Sequence, residues 1–185
     1  MKAYYLHIYT MHTRLFLLLS FLSATNSLFS ADVDWPVYLG DKASSQYSEL
    51  DQITPENVKN LKIAWTYQSG DAREDNRSQI QCNPLIIDGV LYGTTARVSV
   101  IALNAATGEA LWKFDPASEN QTSGPPDINR GLAHWKKGRD ERILFATGHH
   151  LYAINLKTGK LISSFGEAGK VDLKQGLGRN VENLS

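Results

Sequence analysis

The sequence holds one cysteine, Cys82, so no disulfide can close within the chain and no thiolate cluster can hold a metal. It lacks net charge as well. Nineteen basic side chains stand against 19 acidic ones in 185 residues, which leaves nothing to draw the chain to nucleic acid or to an anionic membrane surface. A long apolar run is missing too: Leu15 to Leu22 is broken by Ser20 and reaches about half the roughly 20 residues of a membrane-spanning helix. No stable transmembrane segment is therefore expected in the mature chain. Helix start signals are few, the clearest being Thr54-Pro55-Glu56-Asn57, where Thr54 suits an N-cap and Pro55 the first helical position. One or two turns before Lys62 are expected there.

Acidic residues are absent until Asp32. Lys2 and Arg14 precede the apolar run, and small and polar residues follow it to Ser30, which is the order of a cleavable export signal. The reading is a signal peptide over 1–30, cleavage near Ala31, a periplasmic location and a mature domain over 31–185. Met11 is an alternative start that keeps Arg14 and the apolar run. Removing Lys2 and Arg14 leaves 17 basic against 19 acidic groups, a mildly acidic mature chain.

What the chain does have is a repeat. Val100 to Phe114 reads VIALNAATGEALWKF and Leu151 to Phe165 reads LYAINLKTGKLISSF; alanine, asparagine, Thr-Gly and the final Phe coincide at an offset of 51 residues. Each copy follows another β-rich run, Val90 to Thr95 and Ile143 to Thr147. Ala64-Trp65-Thr66-Tyr67 repeats Leu111 to Phe114 at an offset of 47, as the last strand of a third copy. Ile63, Trp65 and Tyr67 alternate with smaller or polar residues, the period of a strand with unlike faces. Asp88-Gly89 supplies a tight hairpin turn, and the two Thr-Gly pairs turn the chain between third and fourth strands. A period of this size with strands of four to seven residues predicts an all-β fold, a partial β-propeller of four-stranded blades. Two near-complete repeats cannot close a propeller, and the chain reads as cut off.

A Thr-Gly turn four residues before a strand Trp, as in AATGEALW ending at Trp112, resembles the tryptophan-docking repeat of quinoprotein dehydrogenases, which use pyrroloquinoline quinone (PQQ). Ser163 stands at the equivalent place in the second copy. The resemblance extends over Asp34-Trp35-Pro36 to Gly40, Gln46-Tyr47-Ser48, Leu50 to Leu61, Gly70-Asp71, and Ser164-Phe165-Gly166 with Gly169 and Val171-Asp172-Leu173. It implies about two to three blades of an eight-bladed propeller, oxidation of an alcohol or aldose sugar, and electron transfer to PQQ and then to a quinone or cytochrome. It implies Ca²⁺ as well, with its ligands and the catalytic Asp in later blades; no catalytic or metal residue is assigned in this chain.

By the same resemblance Arg130, in Asn129-Arg130-Gly131-Leu132-Ala133-His134-Trp135, contacts the PQQ carboxylates, and Gln81, three residues before Pro84, lies against the quinone. A guanidinium suits that task because its planar fork donates two parallel hydrogen bonds and keeps its charge. Trp135 falls where sugar-oxidising members contact substrate. Against these stand the ordinary readings: a solvated loop Arg, a polar residue on a wet strand face, a core aromatic for Trp112 and a small strand residue for Cys82. Gly124-Pro125-Pro126 occupies the place where alcohol-oxidising members carry a vicinal Cys pair. Lys136 to Arg142 is of mixed sign and reads as an exposed hairpin. His149-His150, if in a strand, point to opposite faces and disfavour chelation of one ion. Asn76-Arg77-Ser78 and Asn120-Gln121-Thr122 match glycosylation acceptors, a frequent accident of composition. Two alternatives remain: a non-catalytic propeller scaffold with PQQ-like repeats, and an inactive truncated gene product.

Overall fold

A computed structural model describes residues 33–75, 78–119 and 128–178. The signal peptide, the two glycosylation matches at Asn76 and Asn120, and Gly124-Pro125-Pro126 fall wholly or partly outside the described residues. Eight strands form two four-stranded antiparallel sheets, each in simple sequence order. The first sheet comprises β1 (Leu85–Ile87), β2 (Val90–Thr94), β3 (Val100–Asn104) and β4 (Ala110–Phe114); the second comprises β5 (Ala133–Lys137), β6 (Asp140–Thr147), β7 (His150–Asn155) and β8 (Lys170–Asp172). A short helix, α1 (Pro116–Glu119), follows the first sheet.

The turns form where the sequence asks for them. Asp88 at φ +50° and Gly89 at φ +72° make the tight connection that pairs Ile87 with Val90. In the first repeat Asn104 Oδ1 accepts the N–H groups of Ala106 and Thr107, and Gly108 N–H donates to the Asn104 carbonyl. Asn155 does the same for Lys157, Thr158 and Gly159. The shared asparagine therefore nucleates each turn through its own side chain, and the shared glycine supplies the positive φ.

The two sheets pack face against face. Alternate residues of the first sheet, among them Leu85, Ile87, Tyr92, Val100, Ala102 and Phe114, form one buried cluster with Ile143, Phe145, Tyr152 and Ile154 of the second. Phe114 meets Phe145 edge-on at 6.0 Å between centroids, and Phe145 stacks on Tyr152 at 5.1 Å. Such pairs add about 0.5–1.5 kcal/mol each beyond the area they bury.

Tryptophans lock successive repeats together. Trp112 lies on Gly159, in the turn that follows β7 of the next sheet, and donates Nε1–H to the Leu156 carbonyl at 3.1 Å. Trp65 lies on Gly108 in the same way and donates to the Ala105 carbonyl at 3.1 Å. The docking role expected of Trp112 is thus filled, and Trp65 fills its twin.

Four expectations need correction. The run around Trp65 is not a strand: residues 61–69 pair with no ladder among the described residues, although Trp65, Tyr67 and Ser69 remain half-buried in alternation. A strand needs a neighbour, and the described residues offer this segment none; Ile63 stands 87% exposed. The helical turn expected from Thr54 is a 3-10 turn over Val58–Asn60 with Asn57, not Thr54, at its N-cap; the Thr54 carbonyl accepts from Asn57 and Val58, while Asn57 Oδ1 accepts the Thr54 N–H. Cys82 lies in no strand; half-buried, it accepts the Thr94 N–H on Sγ at 3.3 Å. The histidine pair converges instead of diverging, because His149 sits in the β6–β7 turn after Gly148 at φ +56°, where strand alternation does not apply.

The outer strand of the second sheet is also divided. Leu161 bridges Ile154 alone, and the chain then turns through Gly166 and Gly169 before β8 pairs with β7. With Ser163 in place of a tryptophan, no indole extends the docking series from this edge.

The Lys136–Arg142 hairpin is present, turning at Gly138-Arg139, but Glu141 within it is buried. Burial acts to raise its carboxyl; hydrogen bonds from Lys136 Nζ at 3.1 Å and His134 Nε2 at 3.0 Å, with their charges, outweigh it and hold the carboxyl below its ordinary 4.5. A carboxyl lowered on folding stabilises the fold above its unfolded value, and the contribution disappears as pH falls through the folded value. Thermal melts of the chain from pH 6 downward should therefore lose stability below about pH 4.5, and less steeply in Glu141→Gln. Equal slopes in the two proteins would refute this role.

Candidate functional site

Chemistry-bearing side chains gather where the chain leads into the first strand of each sheet. Gln81 lies four residues before β1 and Arg130 three before β5. One residue, Asn83, ties these two segments together. Its backbone N–H donates to the Arg130 carbonyl at 3.1 Å and its Nδ2 donates to the same oxygen at 3.0 Å. Asn83 also forms a parallel bridge with Gly131. The following Pro84 has no N–H to compete for an acceptor, so Asn83 ends the run of donors ahead of β1.

Asn129 fixes the other side of the loop. Its Oδ1 accepts the Gly131 N–H at 2.9 Å and its Nδ2 donates to the Ala146 carbonyl on β6 at 3.0 Å. Arg130 is thus held at the backbone from both flanks, while its guanidinium is exposed and ion-paired with no described carboxylate. Gln81 is exposed, and its Nε2 donates to Gln79 Oε1 at 2.9 Å. The junction joins the two segments at the backbone; a cation with a planar fork and a neutral amide are each donors suited to a polyanionic, carbonyl-bearing ligand.

Asn83 and Asn129 escaped sequence reading as site residues. The only signal was position: each lies within two residues of Gln81 or Arg130, which does not tell a fixing amide from a surface one. Trp135, the third sequence candidate, is not drawn to the other two by any described contact. It lies in β5 opposite Arg142, whose Cζ stands 5.0 Å from the ring centroid, and it remains 39% exposed. Arg142 is in turn held by Asp140.

Two four-stranded antiparallel sheets in sequence order, joined by indoles docked on Thr-Gly turns, define consecutive blades of a β-propeller. Residues 35–184 match the β-propeller domain of the PQQ-dependent glucose/ethanol/alcohol dehydrogenases, and the chain belongs to that family. It is 32% identical over 169 residues to quinoprotein glucose dehydrogenase A of Acinetobacter calcoaceticus, covering 78% of this chain and 21% of that one. It is 40% identical over 135 residues to the dehydrogenase subunit of the quinone-dependent alcohol dehydrogenase of Gluconobacter oxydans, covering 71% and 17%. The solved quinohemoprotein alcohol dehydrogenase of Comamonas testosteroni superposes with a TM-score of 0.60 at 31% identity, covering 78% of this chain and 20% of that structure. The chain spans about a fifth of the length of these relatives.

Proposed function

We propose that this chain supplies the first blades of an exported quinoprotein dehydrogenase that oxidises an alcohol or aldose, and that Arg130 and Gln81 bind its PQQ. The observation that carries this is the Asn83–Arg130 junction, which ties the backbone of the Arg130 loop to the segment that bears Gln81, with the Arg130 guanidinium exposed and ion-paired with no carboxylate among the described residues. Arg130 would hold a cofactor carboxylate, and Gln81 would offer its amide to a ring oxygen. The chemistry that PQQ would supply there is acceptance of the two electrons removed from substrate, for onward transfer to a quinone or cytochrome. Asn83 and Asn129 keep the Arg130 backbone in place, so less conformational freedom is lost when its side chain engages an anion. Trp135 remains the candidate for substrate contact.

The catalytic base and the calcium ligands are proposed to lie in blades beyond these residues. Exposed Leu61 and Ile63, on a segment lacking a described ladder, support a further sheet packing there. Dye-linked assays with added PQQ and Ca²⁺ test the proposal. The chain alone should give no turnover with alcohols or aldoses, and a version extended through the missing blades should turn over. Activity of the chain alone would place the chemistry within these residues; an inactive, folded extended protein that binds no PQQ would favour the scaffold alternative.

Export through residues 1–30 belongs to the same proposal. Among the described residues no helix is long and apolar enough to cross a membrane. Intact mass of periplasmic material should correspond to a chain beginning near Ala31; recovery of Leu15 to Leu22 in membrane-bound protein would oppose it.

A further inference from the structure

The β6–β7 turn and the β7–β8 ladder bring together three metal-ligating side chains that the proposed cofactor site does not use. His150, first residue of β7, faces Asp172 across the ladder. His149 precedes it in the turn, and its carbonyl accepts the Leu173 N–H at 2.8 Å, which pins the turn to the end of β8. The imidazole rings lie 4.2 Å apart at their centroids, and one ligand atom from each of His149, His150 and Asp172 falls within 4.8 Å of the others. All three residues are half-buried.

We propose that His149, His150 and Asp172 form a binding site for one borderline divalent transition-metal ion of the Zn²⁺, Cu²⁺ or Ni²⁺ class. The hydrogen bonding leaves the donor atoms available. Among the described residues neither imidazole has a hydrogen-bond partner, and Asp172 uses Oδ1 to accept the Lys174 N–H at 2.9 Å while Oδ2 accepts from no described donor. That contact orients the carboxylate as outer-shell partners of metal ligands do. Burial, with His149 and Lys170, holds the His150 imidazole below its ordinary value, whereas Asp172 acts in the opposite sense. The charged groups facing this pocket are His149, Lys170 and Asp172, with the Tyr152 ring at 6.0 Å from His150.

The donor set selects the metal class. Two imidazoles and one carboxylate suit Zn²⁺, Cu²⁺ and Ni²⁺, while Ca²⁺ and Mg²⁺ require oxygen donors in larger number. The Lys170 ammonium opposes any cation, and opposes most those held by charge alone. Three protein ligands leave at least one position open to water or to an outside ligand.

Titration of the untagged full chain with Zn²⁺ as sole probe tests the site, read by competition with a fluorescent chelator and by thermal unfolding. One ion should bind per chain with micromolar affinity, more tightly as pH rises from 5.5 to 7.5, and the unfolding midpoint should rise with Zn²⁺ concentration. His149→Gln with His150→Gln should weaken binding by no less than the roughly 10- to 100-fold that loss of an outer-shell partner costs. Asp172→Asn should also weaken it while keeping the Oδ1 acceptor for Lys174, so it reports the charged ligand without removing that turn contact. His134→Gln should leave Zn²⁺ affinity unchanged. Absence of saturable binding by the folded chain, or undiminished binding by the double histidine variant, would overturn the site.

Discussion

Arg130→Ala in the full-length protein should weaken PQQ binding by roughly thirtyfold to several thousandfold, or about 2–5 kcal/mol. The change removes the side chain of a loop held at its backbone by Asn83 and Asn129, and on the proposed assignment it would strand a cofactor carboxylate. Arg130→Lys should recover only part of the loss, because an ammonium keeps the charge but not the two-pronged geometry. Gln81→Ala should cost less, about 1–3 kcal/mol, since a neutral partner is lost. PQQ titration of the folded variants checks the order. Wild-type affinity in Arg130→Ala would remove the cofactor assignment.

Gly159→Ala should destabilise the chain by about 3–5 kcal/mol, combining a left-handed residue, an overpacked contact and a lost indole hydrogen bond. At φ +67°, an added Cβ would stand 2.6 Å from Trp112 Cδ2. The indole would have to leave, and its Nε1–H would lose the Leu156 carbonyl. Gly108→Ala should behave alike through Trp65, at 2.6 Å and φ +74°. Gly138→Ala is the control: its φ is +62° but nothing lies within 4 Å, so only the conformational cost of about 1–2 kcal/mol remains. Urea unfolding followed by tryptophan fluorescence separates the cases. Equal losses at Gly138 and Gly159 would show that the indoles do not clamp the blades.

The repeat made most of this fold legible. An asparagine, a Thr-Gly pair and a strand aromatic recurring at fixed offsets specify turn, strand and clamp together, which is why β2, β3, β6 and β7 fall where the sequence puts them. Strand identity failed where it depends on a partner rather than on pattern: the Trp65 segment alternates correctly but finds no ladder among the described residues. It failed again after Thr158-Gly159, where two serines and later glycines divide the outer strand. His149 shows a third limit, since one residue's displacement into a turn reverses the face its ring occupies.

Site legibility followed the same division. Arg130 and Gln81 became candidates through the resemblance alone, because an exposed Arg and an exposed Gln carry no signal in composition or period. Asn83 and Asn129, which hold the Arg130 backbone, act through contacts 47 and 17 residues away, distances that no local pattern encodes.

The position of bound PQQ decides between a cofactor site at Arg130 and an ordinary surface loop. A crystal structure of the full-length protein with PQQ should show the Arg130 guanidinium donating to a cofactor carboxylate and Gln81 at the ring, with the Asn83–Arg130 junction unchanged. PQQ bound with Arg130 turned to a protein carboxylate, or bound beyond reach of both Arg130 and Gln81, would contradict it.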